Sequence, residues 1–158
     1  REKIEMITIY TDGAAKGNPG NGGYGVILDY RGKRKELSQG YRMTTNNRME
    51  LLAVIAGLEA IKKKGWEVEV VSDSKYVVDA VEKKWLQGWV AKDFKGKKNS
   101  DLWKRYLLVA KGQKIRFKWI KGHAGHLENE RCDQLAVAAA ESDQFLIDHE
   151  FERLRDAE

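Results

Sequence analysis

Four acidic residues stand in settings where an acid could do chemistry: Asp12 in TDGAAKGNPGNGGYG, Glu50 in TTNNRMEL, Asp73 in SDSKYV and Asp133 in KGHAGHLENERCDQLA. Asp12 follows the β-branched run ITIYT and Asp73 follows VEVVS. Both carboxylates therefore leave a buried strand, where an unpaired charge is costly to desolvate. If the two strands are parallel neighbours, about 4.8 Å apart, both acids emerge at one edge of a sheet. That is the edge where open α/β sheets place their ligands. Glu50 falls about a turn into one helical stretch and Asp133 a turn or two into another, and helix N-termini favour negative charge. Four carboxylates brought together still repel and raise one another's pKa values. A hard dication relieves that crowding, and an all-oxygen donor set suits Mg2+ or Mn2+ rather than zinc. Taken singly, each acid has an ordinary use: Asp12 bonding its turn, Glu50 pairing with Arg48, Asp73 or Asp133 near a helix cap.

The elements that must position these acids follow from the periodicity of the chain. Residues 6–12 predict a strand and 22–31 a second, with GNPGNGG as the turn between them. Residues 33–43 predict a third strand, reached through the hairpin YRGKR. From Thr45, TNNRMELLAVIAGLEAIKKKG predicts a helix, with Thr44 or Thr45 as cap and Gly65 as stop. Met49, Leu52, Ile55, Ala56 and Leu58 form its apolar stripe. WEVEVVSD (66–73) predicts a fourth strand, and SKYVVDAVEKKW a second helix. Residues 85–100 read as irregular and lysine-rich, after which Asn99 or Ser100 caps the helix DLWKRYLLVAKG. KIRFKWIKG (114–122) alternates as a fifth strand with Ile115, Phe117 and Trp119 on one face, and residues 127–140 are helical. The remaining tail extends that last helix or adds a short one. This order of elements is an α/β domain with a mixed sheet.

With 158 residues the chain fits one domain with a substantial core. Its net charge of +5 is unevenly spread: residues 141–158 hold seven acids against two arginines, a net −5, so the preceding 140 residues carry +10. A basic body fits a polyanionic partner, most often nucleic acid. No apolar run approaches the ~20 residues of a membrane span, and the opening REKIEM lacks the apolar stretch of a secretion signal. The single cysteine, Cys132, excludes an internal disulfide and fits a reducing compartment. It lies inside a helical apolar pattern, which speaks against a catalytic thiol. The expectation is a cytoplasmic monomer with no membrane and no disulfide partner.

The four quoted stretches, in that order and at that spacing, resemble ribonuclease H of type 1 from about Ile4 to Ala140. The resemblance implies a ribonuclease H-like α/β fold, a five-stranded mixed sheet flanked by helices. It implies a catalytic domain over residues 1–140, followed by an acidic tail over 141–158 that is expected to be helical. The activity it implies is endonucleolytic hydrolysis of the RNA strand of RNA–DNA hybrids, leaving 5′-phosphate and 3′-hydroxyl ends. The family's metal-binding acids fall on Asp12, Glu50, Asp73 and Asp133, with Asp12 bridging two Mg2+ ions for which Mn2+ can substitute. Asp133 would complete one ion's shell, Glu50 and Asp73 the other's. Two ions about 3.5–4 Å apart suit an in-line displacement at phosphorus. No protein nucleophile is then required, and the chain shows no Ser–His–Asp or Cys–His signature. The family's loop histidine falls on His123, whose glycine-flanked loop would let it carry a proton or help product leave. His126 reads as a helix-start residue and His149 as tail surface.

Selecting a hybrid requires reading the 2′-hydroxyl across a wide, shallow minor groove. Asn18, Asn46 and Asn47 supply short polar side chains for this, and Gly13 is expected to let the chain approach the duplex. The family's phosphate pocket maps in part onto Thr45 and Asn99; Met43 stands where some members carry an arginine. Residues 83–98 hold six lysines and one aspartate interleaved with Trp85, Trp89 and Phe94. This resembles the family's basic handle, which grips the DNA strand through phosphate contacts and aromatic packing, with Trp85 as the substrate-facing ring. The span from Trp89 to Trp103 is shorter than in well-known bacterial members. Competing readings are a DNA-cutting integrase or resolvase, a non-catalytic hybrid-binding module, and a small-molecule-binding α/β domain. The first would show other acid spacing, the second would have lost one of the four acids, and the third leaves the lysine–tryptophan segment unexplained.

Overall fold

The computed structural model describes residues 6–156. The opening residues 1–5, read above as lacking a secretion signal, and the last two residues of the acidic tail lie outside it. β1 (Met6–Lys16), β2 (Gly20–Tyr30) and β3 (Lys33–Thr44) form an antiparallel meander. β4 (Glu67–Ser72) and β5 (Lys114–Trp119) add in parallel on the β1 side, and a two-residue β6 (Phe145–Leu146) pairs in parallel with β3. The sheet order is β5-β4-β1-β2-β3-β6. The expected mixed sheet is therefore present with six strands rather than five, the extra one contributed by the tail. Among the described residues no helix is long and apolar enough to cross a membrane.

Asp12 does not end its strand. β1 runs on to Lys16 because the ladder with β2 continues through Asp12↔Gly25, Gly13↔Tyr24 and on to Lys16↔Asn21. Three of the four glycines expected in the turn, Gly20, Gly22 and Gly23, lie within β2 instead, and the turn shrinks to residues 17–19, with Gly17 at φ +83°. Asp73, by contrast, is the first residue past β4, and β1 and β4 are parallel neighbours as anticipated.

α1 (Asn46–Glu59) is capped by Thr45, whose hydroxyl accepts from the Arg48 N–H at 3.3 Å. Its apolar residues wrap all round rather than forming one stripe, because it is wedged between the sheet and α4 (Ser100–Ala110). It stops at Glu59, short of the predicted Gly65. The following residues turn back so that the Gly65 N–H donates to the Gly112 carbonyl at 2.8 Å, aligning the start of β4 with β5. α2 (Lys75–Glu82) is capped by Ser74. Within the stretch expected to be irregular, Trp85–Ala91 forms a short helix, α3, anchored by buried Leu86. α5 (Leu127–Glu141) covers the opposite sheet face. It lies against Gly23, Gly25 and Gly40, where a Cβ would come within 2.3–2.7 Å of its backbone. Large side chains at those three positions would lift the helix off the sheet.

The tail is stitched to the domain. β6 extends the sheet, and Lys16 pairs with Glu141 at 2.9 Å. α6 (His149–Asp156) sends Glu152 onto Arg42 through two hydrogen bonds at 2.8 and 2.9 Å. Asp148 reaches the buried guanidinium of Arg48.

Candidate active site

Asp12, Glu50 and Asp73 each place a carboxylate oxygen within 4.8 Å of the other two. β1 brings Asp12, the β4 exit brings Asp73, and α1 brings Glu50. α1 can come this close because Gly13 has no side chain: a Cβ there would sit 2.4 Å from the Glu50 backbone nitrogen. Gly13 is thus required for the packing of α1 on β1.

Burial and charge act together on this triad. Burial is the largest influence on Asp12, the Asp73 charge adds to it, and the carboxyl is pushed up to about 8 despite the Gly13 N–H donated to it at 2.9 Å. Glu50 is likewise held well above its ordinary range, first by burial and then by Asp12 and Asp73. Its Oε1 is buried with no hydrogen-bond partner, one of the few such atoms among the described residues. Such groups need an explanation in a folded protein. Three hard oxygen donors, one of them otherwise unsatisfied, fit a divalent cation such as Mg2+ or Mn2+.

Asp133 is not part of this close group. It lies on α5, half-buried, and acts on Asp12 only through its charge. Four carboxylates do not gather at contact distance: a fourth would add to repulsion that already raises two of the three.

The β5–α5 loop meets the triad at Asp73. A Cβ on Gly122 would lie 2.6 Å from the Asp73 Oδ2, so the loop backbone rests directly on that carboxylate. His123 follows, exposed and at φ +55°. His126 occupies the N-cap position of α5 and His149 opens α6 on the surface. Cys132 is buried, its thiol donates to the Tyr10 carbonyl at 3.3 Å, and burial pushes its pKa up to about 12, which removes it as a nucleophile.

The remaining expected residues divide by exposure. Asn46 and Asn47 are exposed at the start of α1, and Asn18 accepts the Asn46 N–H at 3.1 Å, tying the β1–β2 turn to the helix. Asn99 occupies the N-cap position of α4, at φ +66°, but its side chain does not cap. Its Oδ1 instead accepts from Arg48 at 3.3 Å and its amide donates to the Tyr76 hydroxyl at 3.1 Å. Among the aromatics of the basic segment only Trp85 is exposed, at 47%. Phe94 is buried and Trp89 packs edge-on against Trp103 at 5.8 Å, so neither serves as a substrate-facing ring. All six lysines of that segment are exposed, with the Lys83 Nζ 5.5 Å from the Trp85 ring centre.

Three residues beside the site escape sequence reasoning. Arg48 does not pair with Glu50; it is buried and engages Asp101 and Asp148. Trp119, expected on one face of β5 with Ile115 and Phe117, is 42% exposed and donates its indole N–H to the Asp73 carbonyl at 3.0 Å. Gly122 adjoins His123 in the sequence, but nothing in its spacing announces contact with Asp73.

Known proteins share this architecture. The ribonuclease of Desulforamulus reducens named Ribonuclease H is 55% identical over 150 residues, covering 92% of this chain and 94% of its own. Ribonuclease HI of Shewanella oneidensis is 48% identical over 151 residues, covering 92% and 94%. Among solved structures, LC9-RNase H1, described as a type 1 RNase H with the type 2 active-site motif, superposes with a TM-score of 0.79 at 30% identity. That likeness covers 98% of this chain and 82% of the other. LC11-RNase H1, solved in complex with an RNA/DNA hybrid, has a TM-score of 0.66 at 31% identity, covering 85% and 96%. The RNase H family pattern matches residues 4–141, and with half the residues shared along nearly the full length of curated relatives, the chain belongs to the ribonuclease H family.

Proposed function

We propose that this protein cleaves the RNA strand of RNA–DNA hybrids internally, leaving 5′-phosphate and 3′-hydroxyl ends, as a cytoplasmic monomer. The observation that carries the reading is the Asp12–Glu50–Asp73 triad, with Asp12 and Glu50 buried, Asp73 half-buried and one Glu50 oxygen unpartnered. Asp12, Glu50 and Asp73 would hold Mg2+, with Asp133 completing a second cation's shell from α5. Bound cations supply charge neutralisation at the phosphorus and a water near its ionisation point for in-line attack.

The chain's own groups do the rest. Burial of the triad keeps bulk water from screening the charges that form at phosphorus. His123, at the rim on the loop that rests on Asp73, is the proton carrier for the departing 3′-oxygen. Thr45 and Asn99 hold a backbone phosphate. Asn46, Asn47 and the amide nitrogen of Asn18 meet the minor groove, where a 2′-hydroxyl marks the RNA strand. The exposed lysines of 83–98 and Trp85 hold the DNA strand through its phosphates and sugars. In support, LC11-RNase H1, which shares this fold, has been solved with an RNA/DNA hybrid bound.

Matched RNA–DNA, RNA–RNA and DNA–DNA duplexes, incubated with and without Mg2+, test the reading. Cleavage of the RNA strand of the hybrid alone, and only with the cation, is expected. Cleavage of the DNA duplex would point to an integrase-type nuclease, and hybrid binding without cleavage to a binding module. The handle carries its own prediction. Lys84→Ala, Lys95→Ala and Lys98→Ala should each make the log–log salt dependence of hybrid binding shallower, by about 0.9 for every phosphate left without its lysine. A slope that stays put across all three would mean these lysines only solvate the surface.

A further inference from the structure

The exits of β4 and β5 stay joined beyond the ends of both strands. Ser72 and Trp119 are the last ladder partners, and the Ile120 N–H donates to the Ser72 carbonyl at 3.0 Å. The next carbonyl, that of Asp73, has no strand partner left. It also lies one residue too early for the α2 ladder, whose first carbonyl acceptor is Ser74. The Trp119 indole N–H takes that place at 3.0 Å, acting as one more rung. Trp119 leaves much of its ring in water to do so, whereas Phe117, two residues back on the same strand face, is 7% exposed. The Lys75 ammonium covers the indole face, 4.8 Å from the ring centre, and so holds the ring from the α2 side. On the far side, the Gly122 backbone stands against the Asp73 carboxylate.

We infer that Trp119 is a positioning residue for Asp73: its indole N–H fixes the backbone of residue 73 while Gly122 limits the carboxylate, so that Asp73 stays within reach of Asp12 and Glu50. This rests on the reading of the triad as a cation site. Groups that orient a metal ligand matter nearly as much as the ligand: losing one weakens metal binding about 10–100-fold. The Trp119 indole bonds the triad at the Asp73 carbonyl, so its influence passes through Asp73.

The test measures Mn2+ binding to the free protein by the loss of its free-ion electron paramagnetic resonance signal, alongside cleavage kinetics. Trp119→Phe keeps the ring and removes the N–H. Its Mn2+ dissociation constant should rise about tenfold. The Mg2+ concentration for half-maximal cleavage should rise in step, while KM for the hybrid at saturating Mg2+ is unchanged. Gly122→Ala, pressing on the carboxylate from the other side, should weaken Mn2+ in the same direction and serves if Trp119→Phe fails to fold. Asp73→Asn separates the two levels of the reading. If it loses Mn2+ while Trp119→Phe binds like the parent, the role of Trp119 is overturned and the cation site stands. If neither change affects Mn2+, the cation site itself falls. A raised KM with unchanged Mn2+ binding would make Trp119 a substrate contact and overturn the inference.

Discussion

Asp12→Asn should lower hybrid cleavage about a thousandfold while leaving hybrid affinity intact. Asp12 is the buried member of the triad supplied by the central strand β1, 6% exposed, and its carboxylate has both Glu50 and Asp73 within ligand distance. Replacing it with a neutral amide of the same shape removes a negative donor from the proposed cation site, whose charge would oppose the charge forming at phosphorus. That effect is worth several kcal/mol, and about 4 kcal/mol corresponds to the thousandfold loss. The exposed Asn18, Asn46 and Asn47 and the exposed lysines of 83–98 are untouched, so binding measured without turnover should not move. Turnover within about tenfold of the parent would refute the role of Asp12 as a cation ligand.

The same substitution has a second signature in the metal-free protein. The folded state holds the Asp12 carboxyl at about 8 against an ordinary 3.8, so the fold favours its protonated form. The stability this gives is complete below about pH 4 and is lost as pH rises through about 8. Metal-free wild type should therefore melt at progressively lower temperature from pH 4 to pH 8. Asp12→Asn cannot titrate there, and it relieves Glu50 of its nearest charge, so its curve should be flatter and should lie above that of the parent at pH 8. Mg2+ should raise the wild-type midpoint at pH 8 and leave that of the variant nearly still. A metal-free variant less stable than the parent at pH 8 would contradict the crowding described here.

Asp12 and Asp73 were legible because two signals coincide at each: a β-branched run that must be buried, and a charge at or near its end. The meeting of Asp12 and Asp73 hung on the condition that β1 and β4 be parallel neighbours, which the structure meets. Glu50 was legible through its place a turn inside a helix that had to pack beside them. What escaped depends on contacts between distant segments. The ladder running through Asp12 to Lys16 needs the glycines of β2 to be strand residues, and glycine clusters read locally as turns. Trp89 and Phe94 alternate with lysines just as Trp85 does, and only the position of Trp103 decides which rings turn inward. Trp119 fits the alternation of β5 and still leaves the core, its indole bonded to the Asp73 carbonyl just past β4, a contact no local pattern announces. The tail reads as an acidic appendage from its composition, since charge alone does not disclose that Asp148 and Glu152 answer arginines about a hundred residues earlier.

That pairing sets the largest stability effect expected in the molecule. Arg48 is 2% exposed, and its guanidinium is held from two sides. Asp148 takes Nε at 2.7 Å and Nη2 at 2.8 Å, and Asp101 takes Nη1 at 2.9 Å and Nη2 at 2.7 Å. The Thr44 hydroxyl completes the Asp148 shell at 2.7 Å. Burial works to lower the Arg48 pKa, but the hydrogen bonds from the two carboxylates outweigh it and hold the cation above its usual range. Arg48→Ala leaves two carboxylates facing a cavity without their cation, and breaking a buried pair from one side costs about 3–5 kcal/mol. For a domain of this size that lowers the melting midpoint by about 6–20 °C. Arg48→Lys should recover little of it, because one ammonium cannot meet two carboxylates in the forked geometry that guanidinium provides. Asp148→Asn keeps the shape and part of the bonding, and should cost less than Arg48→Ala. Since Arg48 stands two residues before Glu50 and also bonds Asn99, activity should fall at temperatures where the variant is still folded. If Arg48→Ala melts with the parent, the tail is held by its other contacts, β6 and the Glu152 and Glu141 pairs among them, and the start of α1 does not depend on Arg48.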